Sequence, residues 1–231
     1  MRNRYSVIAG NGLAREMVLL KSLPCIWGKC SFCDYIADNS EDVALIDSEN
    51  LATLDRVTGK LGVLDVINSG SIFELPERSM NRLRAVVRDR NIEELFVESH
   101  WWYRRRFAAL RASFAIPLHI RVGIETFDAH FRNEVLRKGV QFANVDEVRA
   151  FCDAICLLVG IKGQTREMIA RDVELLTANF SYGAVNIFTA NTSRLEPNHE
   201  LAAWFLQTYG TLAEFPGIDV LASNLAYGVN A

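Results

Sequence analysis

Short apolar runs alternate with longer helical patterns along almost the whole chain, and this alternation constrains the fold more than any other feature. The clearest runs predict strands at Met17–Leu23, Val63–Asn68, Glu94–Ser99, His119–Glu125, Ala154–Val159 and Ala184–Thr189. A weaker run predicts another strand at Ile218–Ala222. Helical periodicity between the runs predicts helices at Ser48–Gly59, Asn81–Arg90, Tyr103–Ser113, Asn144–Phe151, Thr165–Asn179 and Asn198–Tyr209. This repeated strand–helix order predicts parallel strands with helices outside.

Alternation within the strands distinguishes a barrel from an open sheet, because a fully buried open sheet is apolar on both faces. Ile120 and Val122 share one face of their strand, whereas Arg121 and Glu125 share the other. Glu98 occupies the polar face of the preceding strand. The sequence therefore predicts an α/β fold, a partial (β/α)6 TIM-like barrel with a polar interior. For any single strand, a solvated edge is the alternative explanation.

Composition narrows the class of protein. The 231 residues are 50% hydrophobic and 23% charged, with no linker and no repeat, which predicts a single domain over residues 1–231. A net charge of -3 argues against nonspecific binding to nucleic acid or to an anionic membrane. The chain has neither an apolar run of the roughly 18 residues that a membrane helix needs nor a signal-peptide pattern. We therefore expect a cytoplasmic protein with a small-molecule partner.

Three of the five cysteines fall within nine residues, in the segment PCIWGKCSFCDY. In a reducing compartment such a cluster predicts metal binding rather than disulfides. Cys25, Cys30 and Cys33 are the predicted ligands, and no second Cys or His pair follows at zinc-finger spacing. Three ligands suit an iron–sulfur cluster with one iron open to a small molecule. A structural zinc site or a chance grouping is the alternative.

This segment resembles the cluster-binding loop of the radical S-adenosylmethionine (SAM) enzymes. In that family three cysteines hold a [4Fe-4S] cluster and SAM binds the fourth iron. One electron then cleaves SAM to methionine and a 5'-deoxyadenosyl radical. The resemblance implies both cofactors, a radical SAM core barrel, and a place beside the adenine for Phe32, which precedes the third cysteine. Four residues separate the first two cysteines, whereas three is common in the family, so the subfamily stays open.

Other segments resemble the family in the expected order. The stretch NSGSIFE is a partial match to a Gly-Gly-Glu-like stretch, which implies that Ser69 and Gly70 bind the methionine part of SAM. In RVGIET, Glu125 would accept hydrogen bonds from the ribose hydroxyls or the amino group. In LLVGIKGQT, Ile161 and Gly163 would pack against adenine.

Polar residues at the ends of strands are candidates for substrate binding. The four predicted substrate-binding residues are Asn68, Glu98, His100 and Asn191. A carboxylate inside a barrel must be paired or must bind a polar ligand, and simple structural pairing is the alternative for each residue. Cys152 and Cys156 are predicted to be small core residues rather than ligands.

In its length and its lack of added modules, the chain resembles the queuine lyase type among the enzymes of 7-deazaguanine metabolism. That resemblance implies a lyase that removes hydrogen from the cyclopentenediol part of queuine and releases an aminomethyl, preQ1-like deazaguanine. Glu98 or Glu125 would recognise the guanine-like edge. The implied partners are a deazapurine base and an electron donor such as flavodoxin or ferredoxin. The alternatives are a tRNA-modifying lyase similar to the radical enzyme of archaeosine synthesis, or a nonenzymatic iron–sulfur or zinc scaffold.

Overall fold

One sheet organises the computed structural model, which describes residues 3–9 and 12–222. Its strands are β1 (Tyr5–Ile8), β2 (Arg15–Leu20), β3 (Val63–Asn68), β4 (Glu94–Ser99), β5 (Leu118–Glu125), β6 (Ala154–Val159), β7 (Tyr182–Ile187) and β8 (Ile218–Leu221). They are adjacent in strict chain order; β1 is antiparallel to β2, and every later neighbouring pair is parallel. The sheet curls into a half-barrel. The predicted domain 1–231 also includes residues 1–2, 10–11 and 223–231, which lie outside the described residues.

Helices connect the parallel strands. They are α1 (Val43–Leu54), α2 (Glu77–Asp89), α3 (Phe107–Ala112), α4 (Val145–Arg149), α5 (Arg166–Asn179) and α6 (His199–Tyr209). Several begin at a side chain that accepts a hydrogen bond from the first turn, such as Asp42 before α1 and Thr165 before α5. The cap at Asp42 explains why α1 begins five residues before the predicted Ser48. Within the described ranges, no helix is long and apolar enough to cross a bilayer.

The first strands differ most from the sequence prediction. β2 begins at Arg15 rather than at Met17, because two charged residues at its start are buried with partners. Arg15 Nε donates to Asp65 Oδ2 at 3.0 Å, and Glu16 accepts hydrogen bonds from Tyr5 and Thr58. The same contacts hold β1, a strand that the apolar pattern did not predict. β7 also begins earlier than predicted, at Tyr182.

The outer face of the sheet forms the main hydrophobic core. On each inner strand the outward side chains are apolar and fully buried, as for Leu64 and Val66 on β3 and Leu95 and Val97 on β4. Each such side chain contributes about 1.5–3 kcal/mol when it is fully buried. This layer fixes the helices against the sheet and so fixes the loops at the carboxyl ends of the strands.

The inner face is polar, as the alternation predicts. At the amino end of the barrel, His119 lies between two carboxylates: its Nδ1 contacts Asp153 and its Nε2 lies 2.8 Å from Glu94 Oε1. The Tyr182 hydroxyl also donates to Glu94, at 2.9 Å. Burial disfavours the charged imidazole, but Asp153 and Glu94 outweigh burial and raise the pKa of His119. We call these four residues the basal cluster.

Candidate active site

The cysteine loop, residues 24–34, is tied to three loops that follow strands at their carboxyl ends. The amide of Ile26 donates to Glu74 Oε1 at 2.7 Å, after β3. The amide of Ser31 donates to Leu136 O at 3.0 Å, after β5. The amide group of Asn191, after β7, donates to the carbonyl of residue 32 at 2.8 Å. The loop therefore lies over the end of the barrel where enzymes of this architecture carry their active sites.

Trp27 anchors the loop in a way that requires glycine at two positions. Its Nε1 donates to Arg137 O at 2.7 Å, and its ring stacks on His100 with centroids 6.0 Å apart. A Cβ on Gly139 would lie 2.1 Å from the Trp27 ring, so only glycine fits there. Gly28 has φ 57°, a left-handed conformation that glycine adopts without strain.

The three thiols of the loop lie near one another. Burial raises the pKa of Cys30 to about 12, with Lys138 opposing the rise and Cys33 and Cys25 adding to it. Across the described residues, no three Cys, His, Asp or Glu side chains converge as they would on a single metal ion. A four-iron cluster takes each thiolate on a different iron, so it needs a wider set. Three neighbouring thiols beside a cation, with no fourth ligand in the part of the chain that the structure describes, fit such a cluster.

A buried ion pair lies beside these thiols. Lys138 Nζ lies 2.7 Å from Glu125 Oε1, and both side chains are almost fully buried. The register of β5 shifts between Gly123 and Glu125, and Glu125 has φ 67° at the end of the strand. A Cβ on Gly123 would lie 2.5 Å from Glu125 Oε1 and 2.9 Å from Lys138 Nζ, so the pair requires glycine there.

Lys138 holds a positive charge at this place. Burial disfavours its ammonium, but Glu125, Cys30 and Cys33 outweigh burial and raise the pKa of Lys138. The lysine therefore stays charged and offsets the negative charge that thiolates would bring to the loop.

Ser69 and Gly70 follow β3 and lie next to the residues that hold the cysteine loop. The Ser69 hydroxyl accepts a hydrogen bond from the amide of Ser22 at 3.0 Å. A Cβ on Gly70 would lie 2.3 Å from Glu74 Oε2, so a larger residue there would displace the Glu74 carboxylate. Glu74 itself accepts hydrogen bonds from the amides of Ile26 and residue 71, which makes it a clamp between the two loops.

The structure brings Phe32 and Ile161 together. Both belong to a small apolar cluster that is separate from the main core and also contains Phe131, Leu136, Leu158 and Phe188. Gly163 has φ 96°, and a Cβ built on it would lie 3.5 Å from the Phe131 ring, an ordinary van der Waals contact. These residues form an apolar wall next to the third cysteine, where the adenine is predicted to lie.

Glu98 faces the barrel interior and contacts Arg121. Arg121 Nη1 lies 3.3 Å from Glu98 Oε1, and the same guanidinium is held by the fully buried Asp65. Burial is the main cause that raises the pKa of Glu98, to about 6, while Arg121 opposes the rise.

The other three predicted substrate residues have different surroundings. His100 Nδ1 accepts from the amide of residue 102, so Nε2 carries the proton and donates to Lys138 O at 3.2 Å. Burial, and then the Lys138 charge, lower the pKa of His100 to about 3, so the ring is neutral near pH 7. The side-chain amide of Asn191 is already engaged, because its nitrogen donates to the cysteine loop and its oxygen accepts from the amide of Ser193.

Asn68 was expected to face the barrel interior, but it lies on the opposite face of β3. It shares a face of β3 with Leu64 and Val66, which pack in the outer core, whereas Ile67 packs with the inward Met17 and Leu19. Both polar atoms of the Asn68 side chain are buried, and neither has a hydrogen-bond partner among the described residues. The structure therefore does not bring Asn68 to Glu98, and its place behind the strand follows from strict alternation up to the end of β3.

Three residues of this site were not singled out by the sequence reasoning. They are Trp27, Asp65 and Lys138. Asp65 had a signal, because an acidic residue within the apolar run VLDVIN must find a buried partner. Lys138 lies in LRKG, where the pattern gave no reason to pair it with Glu125.

Comparison with known proteins gives a family. No family model and no curated protein matches the chain, but solved structures do. A queuine lyase from Clostridium spiroforme, bound to SAM and queuine, is 43% identical with a TM-score of 0.93, and the match covers 96% of each chain. The chain belongs to the queuine lyase family of radical SAM enzymes.

Two more distant structures share the fold. Methylornithine synthase (PylB) is 16% identical with a TM-score of 0.59, and the match covers 91% of this chain and 72% of that one. SuiB from Streptococcus suis, bound to SAM, is 15% identical with a TM-score of 0.53 and covers 91% of this chain and 47% of its own. The predicted radical SAM core barrel is confirmed, and the protein is an enzyme rather than a scaffold. The cofactors of its family are SAM and a [4Fe-4S] cluster.

Proposed function

We propose that the protein is a queuine lyase, which breaks the bond between the cyclopentenediol ring of queuine and its aminomethyl nitrogen and releases an aminomethyl deazaguanine. The observation that carries this proposal is the 43% identity, over 96% of both chains, to a queuine lyase bound to SAM and queuine. The polar interior supports it, because it offers carboxylates to a base with several N–H donors.

In this proposal Cys25, Cys30 and Cys33 hold the cluster. The cluster, when bound, supplies the electron that cleaves SAM to methionine and a 5'-deoxyadenosyl radical. Phe32 and Ile161 hold the adenine against the apolar wall, with the turn at Gly163 beside them.

Backbone groups and one carboxylate complete the SAM site. Ser69 and Gly70 present backbone groups to the methionine part, since the Ser69 hydroxyl is already engaged. Glu125 gives one oxygen to Lys138 and keeps the other for the ribose hydroxyls or the amino group. Because Lys138 fixes the carboxylate, the SAM oxygens and nitrogen meet a group that is already oriented.

Glu98 and His100 are the proposed substrate contacts. Glu98 accepts the two N–H groups of the guanine-like edge, which a carboxylate matches better than a single acceptor does. His100 is neutral, so it contacts the flat base by its ring rather than by charge. Asn191 acts by holding the cysteine loop, and the surroundings of Asn68 give it no direct path to the base.

The donor of the electron is proposed to be a flavodoxin or a ferredoxin, and the net charge of -3 argues against a nucleic-acid substrate. The tRNA-modifying alternative would need the base to enter while attached to RNA. A cytoplasmic location accords with the dependence of such a cluster on reducing conditions.

The test is an anaerobic assay of the reconstituted protein with dithionite, SAM and queuine. We expect queuine to stimulate 5'-deoxyadenosine formation and to yield free aminomethyl deazaguanine. That product, which lacks the cyclopentenediol, is the matched control ligand and should give no stimulation. The proposal is wrong if queuine gives none either. Cleavage of queuosine in tRNA, without reaction of free queuine, would support the tRNA alternative instead.

A further inference from the structure

A chain of buried charges crosses the barrel interior beneath the site. Arg15 Nε donates to Asp65 Oδ2 at 3.0 Å, and Arg15 Nη2 to Asp219 Oδ2 at 2.7 Å. Arg121 donates to the same Asp65 through Nη1 at 3.2 Å and Nη2 at 3.1 Å. Asp65 is fully buried, so its two oxygens are occupied by two arginines and have no access to a ligand.

Glu98 is the last residue of this chain of ion pairs, on the side of the active site. It accepts fewer hydrogen bonds than Asp65 does. Its only hydrogen bond among the described residues runs from Arg121 Nη1 to Oε1, at 3.3 Å. The Glu98 side chain is 27% exposed, whereas that of Arg121 is 7% exposed. One carboxylate oxygen is thus free and faces the interior. In an ion pair with only a structural role, both oxygens of the carboxylate would be buried and hydrogen-bonded.

We propose that Arg121 is a positioning residue for base recognition: held by Asp65, it orients Glu98 and keeps it ionised so that the carboxylate accepts the two N–H donors of a guanine-like edge. This inference rests on the proposed function. It assigns specificity to a residue that does not touch the substrate. The fixed guanidinium prevents Glu98 from turning away, and its charge favours the form of the carboxyl group that accepts at both oxygens.

The groups that face Glu98 explain why it needs this help. Burial raises its pKa most, and the carboxylates of Asp65 and Glu125 raise it further, while Arg121 lowers it. The buried thiol of Cys156, on β6, faces the same group. With Arg121 in place the pKa of Glu98 is about 6, so the group is mostly ionised near pH 7. Lys138 is paired with Glu125 and so offsets the charge of that carboxylate in part. Without the arginine, burial and the carboxylates of Asp65 and Glu125 favour the protonated form.

The experiment measures the dissociation constant of queuine by calorimetry, with the cluster and SAM present but no reductant, between pH 6 and 9. Arg121→Gln removes the charge, and Arg121→Lys keeps it. Asp219→Asn is the matched control, because it removes a charge from the same chain of ion pairs without touching Glu98. Ratios of variant to wild type at each pH cancel the titration of queuine itself.

We expect Arg121→Gln to weaken queuine binding by about 10- to 100-fold at pH 7, the effect of one hydrogen bond to a charged group. The loss should shrink as the pH rises, because hydroxide restores the carboxylate that Arg121 no longer favours. Arg121→Lys should stay within a few-fold of wild type, and Asp219→Asn should show no pH-dependent change.

A merely structural role for Arg121 predicts a different result, namely a loss that is the same at every pH. That result, or unchanged binding in Arg121→Gln, would overturn the inference. If Arg121→Gln does not fold, Glu98→Gln decides. The ratio of its dissociation constant for queuine to that of the wild type should be greatest at high pH and decrease towards pH 6, where wild-type Glu98 is itself about half protonated. A ratio that does not change with pH is the contrary outcome. Failure of the wild type to bind queuine at all would instead reject the proposed function.

Discussion

On β3, Leu64 and Val66 face the helices while Asp65, between them, faces the barrel interior, and all three side chains are fully buried. On β3 the two faces of the sheet therefore differ in chemistry and not in exposure. On the outer face, burial itself stabilises the fold. On the inner face, each buried charge must first recover the cost of leaving water from a partner such as Arg121.

This difference teaches where function can reside. A buried ion pair contributes little net stability compared with apolar residues of similar size. The inner face thus adds little to the stability of the fold, but its ion pairs hold polar groups at fixed positions. Glu98, Glu125 and Lys138 show it, because each is oriented by a partner, and each of the two glutamates uses only one oxygen for that contact.

Cys30→Ala should show the largest contrast between loss of activity and retained stability. The cysteine loop contributes little to the outer core, so the apoprotein should retain its free energy of unfolding to within about 1 kcal/mol. Loss of one cluster ligand should remove SAM cleavage altogether. Iron content and 5'-deoxyadenosine formation test this, with circular dichroism to check the fold. Retained cleavage would reject Cys30 as a ligand.

Lys138→Met should show that the inner face becomes costly when a pair is broken. The variant leaves the Glu125 carboxylate buried without its partner, which typically destabilises a protein by about 3–5 kcal/mol. Denaturant unfolding of the apoprotein measures the change. The double variant Lys138→Met with Glu125→Met should recover most of the loss. If the double variant is as unstable as the single one, the ion pair is not the cause.

Leu95→Ala should affect the outer face alone. Leu95 is fully buried in the main core, so its truncation should reduce the free energy of unfolding by about 2–5 kcal/mol. Leu45→Ala is the same substitution at a residue that is 44% exposed, and should change it by no more than about 0.5 kcal/mol. SAM cleavage per folded molecule should match the wild type in both. If Leu95→Ala alone lost SAM cleavage per folded molecule, the outer face would also contribute to activity, contrary to this prediction.

His119→Gln should have the smallest effect, about 1 kcal/mol, and that effect should depend on pH. The pKa of His119 is raised in the folded protein, so its charge contributes stability that is fully present below the unfolded pKa of about 6.5. This contribution disappears as the pH rises through the folded pKa. The difference in free energy of unfolding between wild type and variant should therefore decrease from pH 6 upward. A constant difference would contradict this, and His199→Gln, at an exposed position, is the control.

The parallel strands were predictable because their apolar runs are long and bounded by turns. β3, β4 and β6 agree with the prediction residue for residue. β1 was missed because Tyr5–Ile8 is short and half-exposed, and its register depends on contacts with β2. β2 was placed two residues late because a charged start is not recognised as buried until its partners are known.

The arrangement of the site was predictable only in part, and the cluster ligands themselves stay a prediction. The cysteine spacing and the polar alternation identified the loop and Glu98. No local pattern could pair Lys138 with Glu125, because the contact depends on a register shift and on a left-handed conformation at Glu125. Asn68 was expected to face the interior because it is polar and lies near a strand end, as Glu98 does, whereas the alternation of β3 places it on the face of Leu64 and Val66.

The ion pair between Arg15 and Asp219 joins two residues that are 204 positions apart. It connects β2 to β8 across the interior of the half-barrel. Every strand otherwise pairs with its neighbour in the sequence, so the sheet can grow one unit at a time from contacts of modest range. The Arg15–Asp219 contact can form only when that growth is complete. We therefore expect Asp219→Asn to accelerate unfolding while leaving the folding rate nearly unchanged, as for an interaction that is absent from the transition state.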